Sequence, residues 1–327
     1  MTIPDYPVDT DILIAAQGTW PSSVHLFKRE TVAALRAAEA TGRPLLIRGL
    51  PGVGKSETAR AAAAFAKRPF LSLVIDGRTE PDDLKWRVDA VKRLSDAQTG
   101  KTKKESAYVR PEVLWWALDW AGAQSQSQRG GCRAPDVVVP SGWQPGRDRA
   151  VLLLDEIDKA DPDLPNALLE VLANRGFTPP FAGLGAVCCD ESAKPLIIIT
   201  TNEERELPPA FLRRCLVLKL ELPPDDVLPA ELIRLAQRHQ RHRGGGQCVI
   251  LDEVAEAFMV LRKATRAGEY LPATSEFLDL VQALATLCPD DAQAQREQLQ
   301  WLRKFVWKSL NPLPAGKDAT AHKASAA

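Results

Sequence analysis

Apolar residues fall into two patterns along the chain. Short, nearly unbroken runs at Leu45-Leu46-Ile47, residues 70–75, Val151-Leu152-Leu153-Leu154 and Leu196-Ile197-Ile198-Ile199 have the length of strands buried on both faces. A fifth strand is expected over residues 215–220. Between the runs, apolar positions three and four apart predict helices over residues 30–40, closed by Thr41-Gly42, over the Ala-rich Lys55–Ala66, and over residues 164–174. Alternating strands and helices predict an α/β sandwich around a mainly parallel sheet. Past Pro223-Pro224 only the helical period persists, as in Leu251-Val254-Ala255-Phe258 and Phe277-Leu280-Val281-Leu284. The expected organisation is therefore a leader (1–21), an α/β core (22–224), a smaller all-α domain (225–310) and a disordered tail (311–327). Gly244-Gly245-Gly246 is expected to divide two helices, and the Gln/Ser/Gly-rich residues 124–131 to form a mobile loop.

A length of 327 residues agrees with about two domains. The chain is 45% hydrophobic and 26% charged, with a formal net charge of zero, which argues against a dedicated binder of nucleic acid or membrane surface. No apolar run approaches the ~20 residues of a membrane helix. Met1-Thr2-Ile3-Pro4-Asp5 lacks both the basic start and the apolar core of a signal peptide, so a cytoplasmic protein is expected. The six cysteines contain no Cys-x-x-Cys pair and are expected as reduced thiols. His239 and His242 lie in the basic stretch Arg238-His239-Gln240-Arg241-His242-Arg243, which repels a metal cation and reads as a solvated helix end.

Candidate chemistry begins at Gly49-Leu50-Pro51-Gly52-Val53-Gly54-Lys55-Ser56, between a strand and a helix, the context in which G-x-x-x-x-G-K-[ST] forms a phosphate-binding loop. The glycines let the backbone wrap a phosphate at the positive end of the helix. Gly49, Pro51, Gly52, Val53, Gly54, Lys55, Ser56 and Glu57 are the expected nucleotide contacts, with Lys55 on the β/γ-phosphates and the Ser56 hydroxyl on Mg²⁺. Asp155 and Glu156 end the run Val151-Leu152-Leu153-Leu154, at the strand edge where ligands of open α/β sheets bind. Asp155 suits the Mg²⁺ shell, and Glu156 suits polarising a water for attack on the γ-phosphate. Asp158 reads as structural.

Asn202 ends the run Ile197-Ile198-Ile199-Thr200-Thr201, where its amide either orients the attacking water or serves a turn before Glu203-Glu204. Eleven residues on come Arg213 and Arg214, which cannot easily bend back to their own site but are placed to reach the γ-phosphate of a neighbouring subunit. Trp115, Trp116 and Trp120 form either a partner-facing surface or helix packing at i and i+4.

These elements, in this order and with a helical domain behind them, resemble the AAA+ ATPases. Asp155-Glu156-Ile157-Asp158-Lys159-Ala160 and Arg43-Pro44-Leu45-Leu46-Ile47-Arg48-Gly49 are similar to the corresponding segments of the MoxR-like branch, and the resemblance covers roughly residues 22–310. It implies ATP rather than another nucleotide, Mg²⁺, a six-membered ring with sites between subunits, Asn202 as sensor 1, and Arg213 or Arg214 as the arginine finger. It places an insert within 82–120 and a hairpin within 176–195. Two departures stand out. One hundred residues separate Lys55 from Asp155, which implies an insertion around 95–140. Leu271-Pro272-Ala273-Thr274-Ser275-Glu276-Phe277-Leu278 holds no sensor 2 arginine, reads as a helix start capped by Thr274 or Ser275, and leaves Arg266 as the nearest candidate.

The leading expectation is a remodelling, chaperone-like ATPase acting on a separate partner protein, which in that branch often carries a von Willebrand A domain. The alternative is an ATP-dependent assembly switch, in a signalling or defence complex, with little turnover. A nucleic-acid motor draws only on Lys101, Lys103 and Lys104, and the balanced charge gives it no support.

Overall fold

The computed structural model describes residues 3–132, 134–190, 193–265 and 272–307. Two compact units meet in sequence between Glu221 and Leu222, three residues before the expected boundary.

In the first unit, β1 (Asp11–Ile14) and β2 (Ser23–Leu26) precede α1 (Arg29–Thr41), β3 (Leu45–Arg48), α2 (Lys55–Ala66) and β4 (Phe70–Val74). A hairpin of β5 (Trp86–Val88) and β6 (Val109–Pro111) encloses α3 (Ala90–Gln98), and α4 (Val113–Leu118) and α5 (Trp120–Gly130) follow. Next come β7 (Val151–Asp155), α6 (Asp163–Asn174), a short hairpin of β8 (Gly176–Phe177) and β9 (Val187–Cys188), then β10 (Leu196–Thr201), α7 (Pro209–Arg214) and β11 (Leu216–Lys219).

Five of these strands form one parallel sheet in the order β11-β3-β10-β7-β4. Its central strands are apolar without a break because both faces are covered, and successive side chains enter opposite cores. Leu45, Ile47, Val151, Leu153 and Ile198 point to one core, shared with α1 and α2. Leu46, Leu152, Leu154 and Ile199 point to the other, shared with α4 and α6. Ala59, Ala61 and Ala62 of α2 are fully buried, and these small side chains allow the helix to lie close against the sheet. Because β10 lies between β3 and β7, the chain ends leaving these three strands emerge side by side at one sheet edge.

Two expectations are corrected in this unit. The supposed leader is part of the fold: β1 pairs antiparallel with β2, and Ile12, Ile14 and Tyr6 are buried in the α1/α2 core. The alternation of buried Ile12 and Ile14 with exposed Leu13 is the strand period that the Pro- and Asp-rich composition masked. Residues 124–131 are largely α5 rather than a loop. The Asp119 carboxylate caps that helix at the Gly122 N–H (2.9 Å), and buried Gln126 donates to Ser106 O (2.7 Å) and Val109 O (2.9 Å). The tryptophans resolve as packing. Trp115 and Trp116 are buried, with Trp116 edge-on to Trp120 at 5.1 Å and Trp115 edge-on to Phe177 at 5.9 Å.

The second unit contains α8 (Leu228–Arg243), α9 (Leu251–Ala264), α10 (Thr274–Leu287) and α11 (Ala292–Val306) around Leu232, Val254, Phe258, Phe277, Leu280 and Leu284. Gly244 follows α8 at φ +68°, so the glycine run ends a helix as expected. Gln295 is fully buried and satisfied: it accepts from Val249 N–H (2.9 Å) and donates to Gln247 O and Cys288 O (both 2.7 Å). At the start of α10 the N-cap is Ala273 rather than Thr274 or Ser275, and Glu276 accepts the Ala273 N–H at 3.0 Å. Arg266 and the tail from 311 lie outside the described residues. Among the described residues the six cysteines are free thiols, and no helix is long and apolar enough to cross a membrane.

Candidate active site

The turn between β3 and α2 is shaped by residues that must be glycine. A Cβ at Gly49 would collide with the Leu220 carbonyl, because the end of β11 closes on this turn through Leu220 N–H to Arg48 O (2.8 Å). Gly54 adopts φ +90° as the N-cap of α2, a conformation side chains rarely take. Pro51 and Gly52 are exposed, while Lys55 is buried. Its ammonium donates to Gly49 O (2.6 Å), Leu50 O (2.9 Å) and Asn202 Oδ1 (2.7 Å). Burial holds the Lys55 pKa below the ordinary lysine value, against the opposing pull of Asp155, Asp158, Glu156 and Glu203.

Ser56, one residue on, donates its hydroxyl to both Asp155 carboxylate oxygens at 2.9 Å. Asp155 ends β7 and also accepts from the Thr200 hydroxyl of β10. Thr200 in turn accepts the Glu156 N–H at 2.9 Å. Glu156 occupies the left-handed region at φ +63°, unusual for a residue with a side chain and concentrated in proteins at functional turns. Its Oε1 accepts from Asn202 Nδ2 (3.2 Å) and its Oε2 from Lys159 Nζ (2.8 Å). Asn202 therefore touches both Lys55 and Glu156, joining the phosphate-loop helix to the acidic strand end.

Sequence reasoning assigned no site role to Thr200 and set Asp158 aside. Buried Asp158 accepts the N–H groups of Asn202 (3.1 Å) and Glu204 (3.0 Å) through one oxygen, and Thr201 Oγ1 accepts that of Glu203 (3.0 Å). Three successive backbone donors are thus anchored, and Arg48 pairs with the Glu203 carboxylate at 2.7 Å. This clamp determines where the Asn202 amide points. A hydroxyl at the end of an apolar run was the available signal for Thr200; nothing local marked Asp158.

Two expected residue sets sit apart from this cluster. The Glu57 carboxylate is engaged by Ser23 Oγ (2.6 Å) and Arg60 Nη1 (2.6 Å), so its backbone N–H is what it offers at the helix start. Arg213 and Arg214 are exposed on the last turn of α7, and no hydrogen bond or ion pair among the described residues links either side chain to Lys55, Asp155 or Asn202.

The donor set fits a magnesium–nucleotide ligand. Among the described residues, no group of three or more His, Cys, Asp or Glu forms a metal cage. Mg²⁺ is instead commonly held by one or two protein oxygens, with phosphates and water completing the shell. The Ser56 hydroxyl and the Asp155 carboxylate are such oxygens, already in register with each other. A buried ammonium beside the N-terminus of a helix suits phosphate.

The family model for the AAA domain (dynein-related subfamily) matches residues 44–215, just over half of the chain. The peroxisomal Lon protease homolog 2 of Arabidopsis thaliana is 25% identical over 293 residues, which are 86% of this chain. The match takes in 27% of that relative, so the chain spans about a quarter of its length. A protein assigned as an ATPase from Cytophaga hutchinsonii aligns with 78% of this chain and 56% of its own at 14% identity and a TM-score of 0.37. A RuvB mutant from Thermotoga maritima aligns with 83% of this chain and 68% of its own at 13% identity and a TM-score of 0.45.

Proposed function

Because the chain belongs to the AAA domain family (dynein-related subfamily), we propose that it is a MoxR-like AAA+ ATPase that hydrolyses Mg-ATP to remodel a partner protein. The observation that carries the reading is the convergence of Lys55, Ser56, Asp155, Glu156 and Asn202, from the helix after β3 and the ends of the adjacent strands β7 and β10, through direct hydrogen bonds. Further support is the β8–β9 hairpin within 176–195 and the β5–α3–β6 insert within 82–120, where the MoxR-like resemblance expects them.

In this mechanism Lys55 releases the Gly49 and Leu50 carbonyls and neutralises phosphate charge. Ser56 and Asp155 would hold Mg²⁺, which would supply charge neutralisation and orientation when bound. Glu156 turns from Lys159 and takes a proton from the attacking water. The water oxygen then bonds to the γ-phosphorus as the bond to the β–γ bridging oxygen breaks. Asn202 orients that water, and Arg213 or Arg214 of a neighbouring copy stabilises the developing charge.

Phosphate release from Mg-ATP across a range of protein concentrations tests the reading. Specific activity should rise with concentration and fall by about 10³-fold or more in an Arg213→Ala/Arg214→Ala variant. Activity that neither depends on concentration nor falls in the Arg213→Ala/Arg214→Ala variant would rule out sites shared between six copies in a ring. Asp158→Ala, which removes the acceptor for the Asn202 and Glu204 N–H groups, should lower kcat by about 10- to 100-fold, because a small misplacement of Asn202 is costly in the transition state, with little change in ATP affinity. Equal losses in kcat and ATP affinity would assign Asp158 to general folding.

The engagement of both Glu156 oxygens favours a second reading, a low-turnover assembly switch in a signalling or defence complex. Under it, ATP binding alone drives partner output. For the remodelling reading, a partner with a von Willebrand A domain in the cytoplasm is the first candidate to test.

A further inference from the structure

The last turn of α7, which carries Arg213 and Arg214, is held by a side chain from elsewhere in the chain. Arg43 Nη2 donates to Arg213 O (2.5 Å) and Cys215 O (3.0 Å), and its Nε donates to Arg214 O (3.2 Å). Helix-terminal carbonyls lack intrahelical partners, and α7 has only 6 residues, so few of its own bonds fix it. A guanidinium satisfies several such carbonyls at once and complements the negative end of the helix dipole. The neighbouring backbone belongs to the same arrangement: Pro44 O accepts the Leu216 N–H at 2.8 Å, on the far side of the turn. The segment leading into β3 and the phosphate loop therefore holds α7 from its C-terminal end.

We propose that Arg43 is a positioning residue for the arginine finger. It fixes the backbone from which Arg213 and Arg214 project, and so controls hydrolysis on the neighbouring copy rather than at the phosphate loop of its own chain. This rests on the reading of Arg213 or Arg214 as a finger acting between copies. Lysine is a poor replacement, since one ammonium cannot fork across three carbonyls in the plane a guanidinium occupies.

The test is complementation between full-length variants. Arg43→Ala keeps an intact phosphate loop but supplies a misplaced finger; Lys55→Ala cannot hydrolyse but supplies an intact one. Binding of a fluorescent ATP analogue checks that Arg43→Ala is folded, and Arg43→Lys takes its place in the mixture if it is not. Each variant alone should release phosphate at less than about a tenth of the parent rate. An equimolar mixture should recover to about a quarter of it, since half the acceptors and half the donors are intact in a randomly mixed assembly. A control mixture pairs Lys55→Ala with the Arg213→Ala/Arg214→Ala variant. If the control recovers and the Arg43 mixture does not, Arg43 acts within its own chain and the proposal is overturned. Parental turnover by Arg43→Ala alone overturns it as well. If the control itself fails to recover, the finger reading fails and takes the proposal with it.

Discussion

Glu156→Gln is expected to lower phosphate release by about 10²–10⁴-fold while Mg-ATP binding is retained. The substitution preserves the shape of the side chain, and the new amide oxygen can still accept from Asn202 Nδ2, so the link to Lys55 through Asn202 survives. What disappears is the carboxylate that pairs with Lys159 and can take a proton from water. Lys159, whose pKa is raised chiefly by its hydrogen bond to Glu156, loses the charge that does so. Single-turnover phosphate release and equilibrium binding of a fluorescent ATP analogue separate the two effects. Unchanged turnover would remove Glu156 from the chemistry. Lost partner output with ATP still bound would favour the remodelling ATPase, whereas unchanged output would favour the switch.

Glu39→Gln is expected to destabilise the first unit by about 3–5 kcal/mol. The Glu39 carboxylate is fully buried. One oxygen accepts from Tyr6 Oη (3.0 Å) and pairs with Arg68 (2.5 Å), and the other pairs with Arg149, itself nearly buried. Burial, reinforced by the Glu39 charge, pushes the Tyr6 phenol pKa well above its ordinary range. One carboxylate thereby ties the N-terminal segment, α1, the α2–β4 turn and the entry to β7 together. Removing its charge leaves the buried Arg149 and the largely buried Arg68 guanidinium uncompensated, and among the described residues Arg149 Nη2 already lacks a partner. Breaking a buried ion pair costs more than making it contributes, because the remaining ion stays desolvated. A thermal melt should show a drop of about 10 °C. A midpoint within about 2 °C of the parent would mean that water or rearrangement compensates the arginines.

The parts of this protein legible from sequence are those whose chemistry is contiguous. Gly49 to Ser56 are consecutive, so the turn, the ammonium and the hydroxyl are all specified by one local conformation. The unbroken runs at β3, β7 and β10 announce strands covered on both faces, and the fold class follows from their alternation with helices. Polar α5 was hidden for the opposite reason. Its helix depends on a cap at Asp119 and on Gln126 bonding backbone 17 and 20 residues away, neither of which appears in an apolar period.

The phosphate loop, the acidic strand end and the succession of an α/β unit and a helical unit are written in the chain itself, because each is carried by neighbouring residues. Whatever depends on the order of strands in the sheet comes from the packed fold. Only the position of β10 between β3 and β7 brings Asn202 to Lys55 across 147 residues and Thr200 to Asp155 across 45. The same holds for Arg43 on α7, 170 to 172 residues away, and for Arg149 on Glu39, 110 away. These contacts are selected by how buried faces pack, and a side-chain hydrogen bond leaves no periodic trace in the chain that makes it.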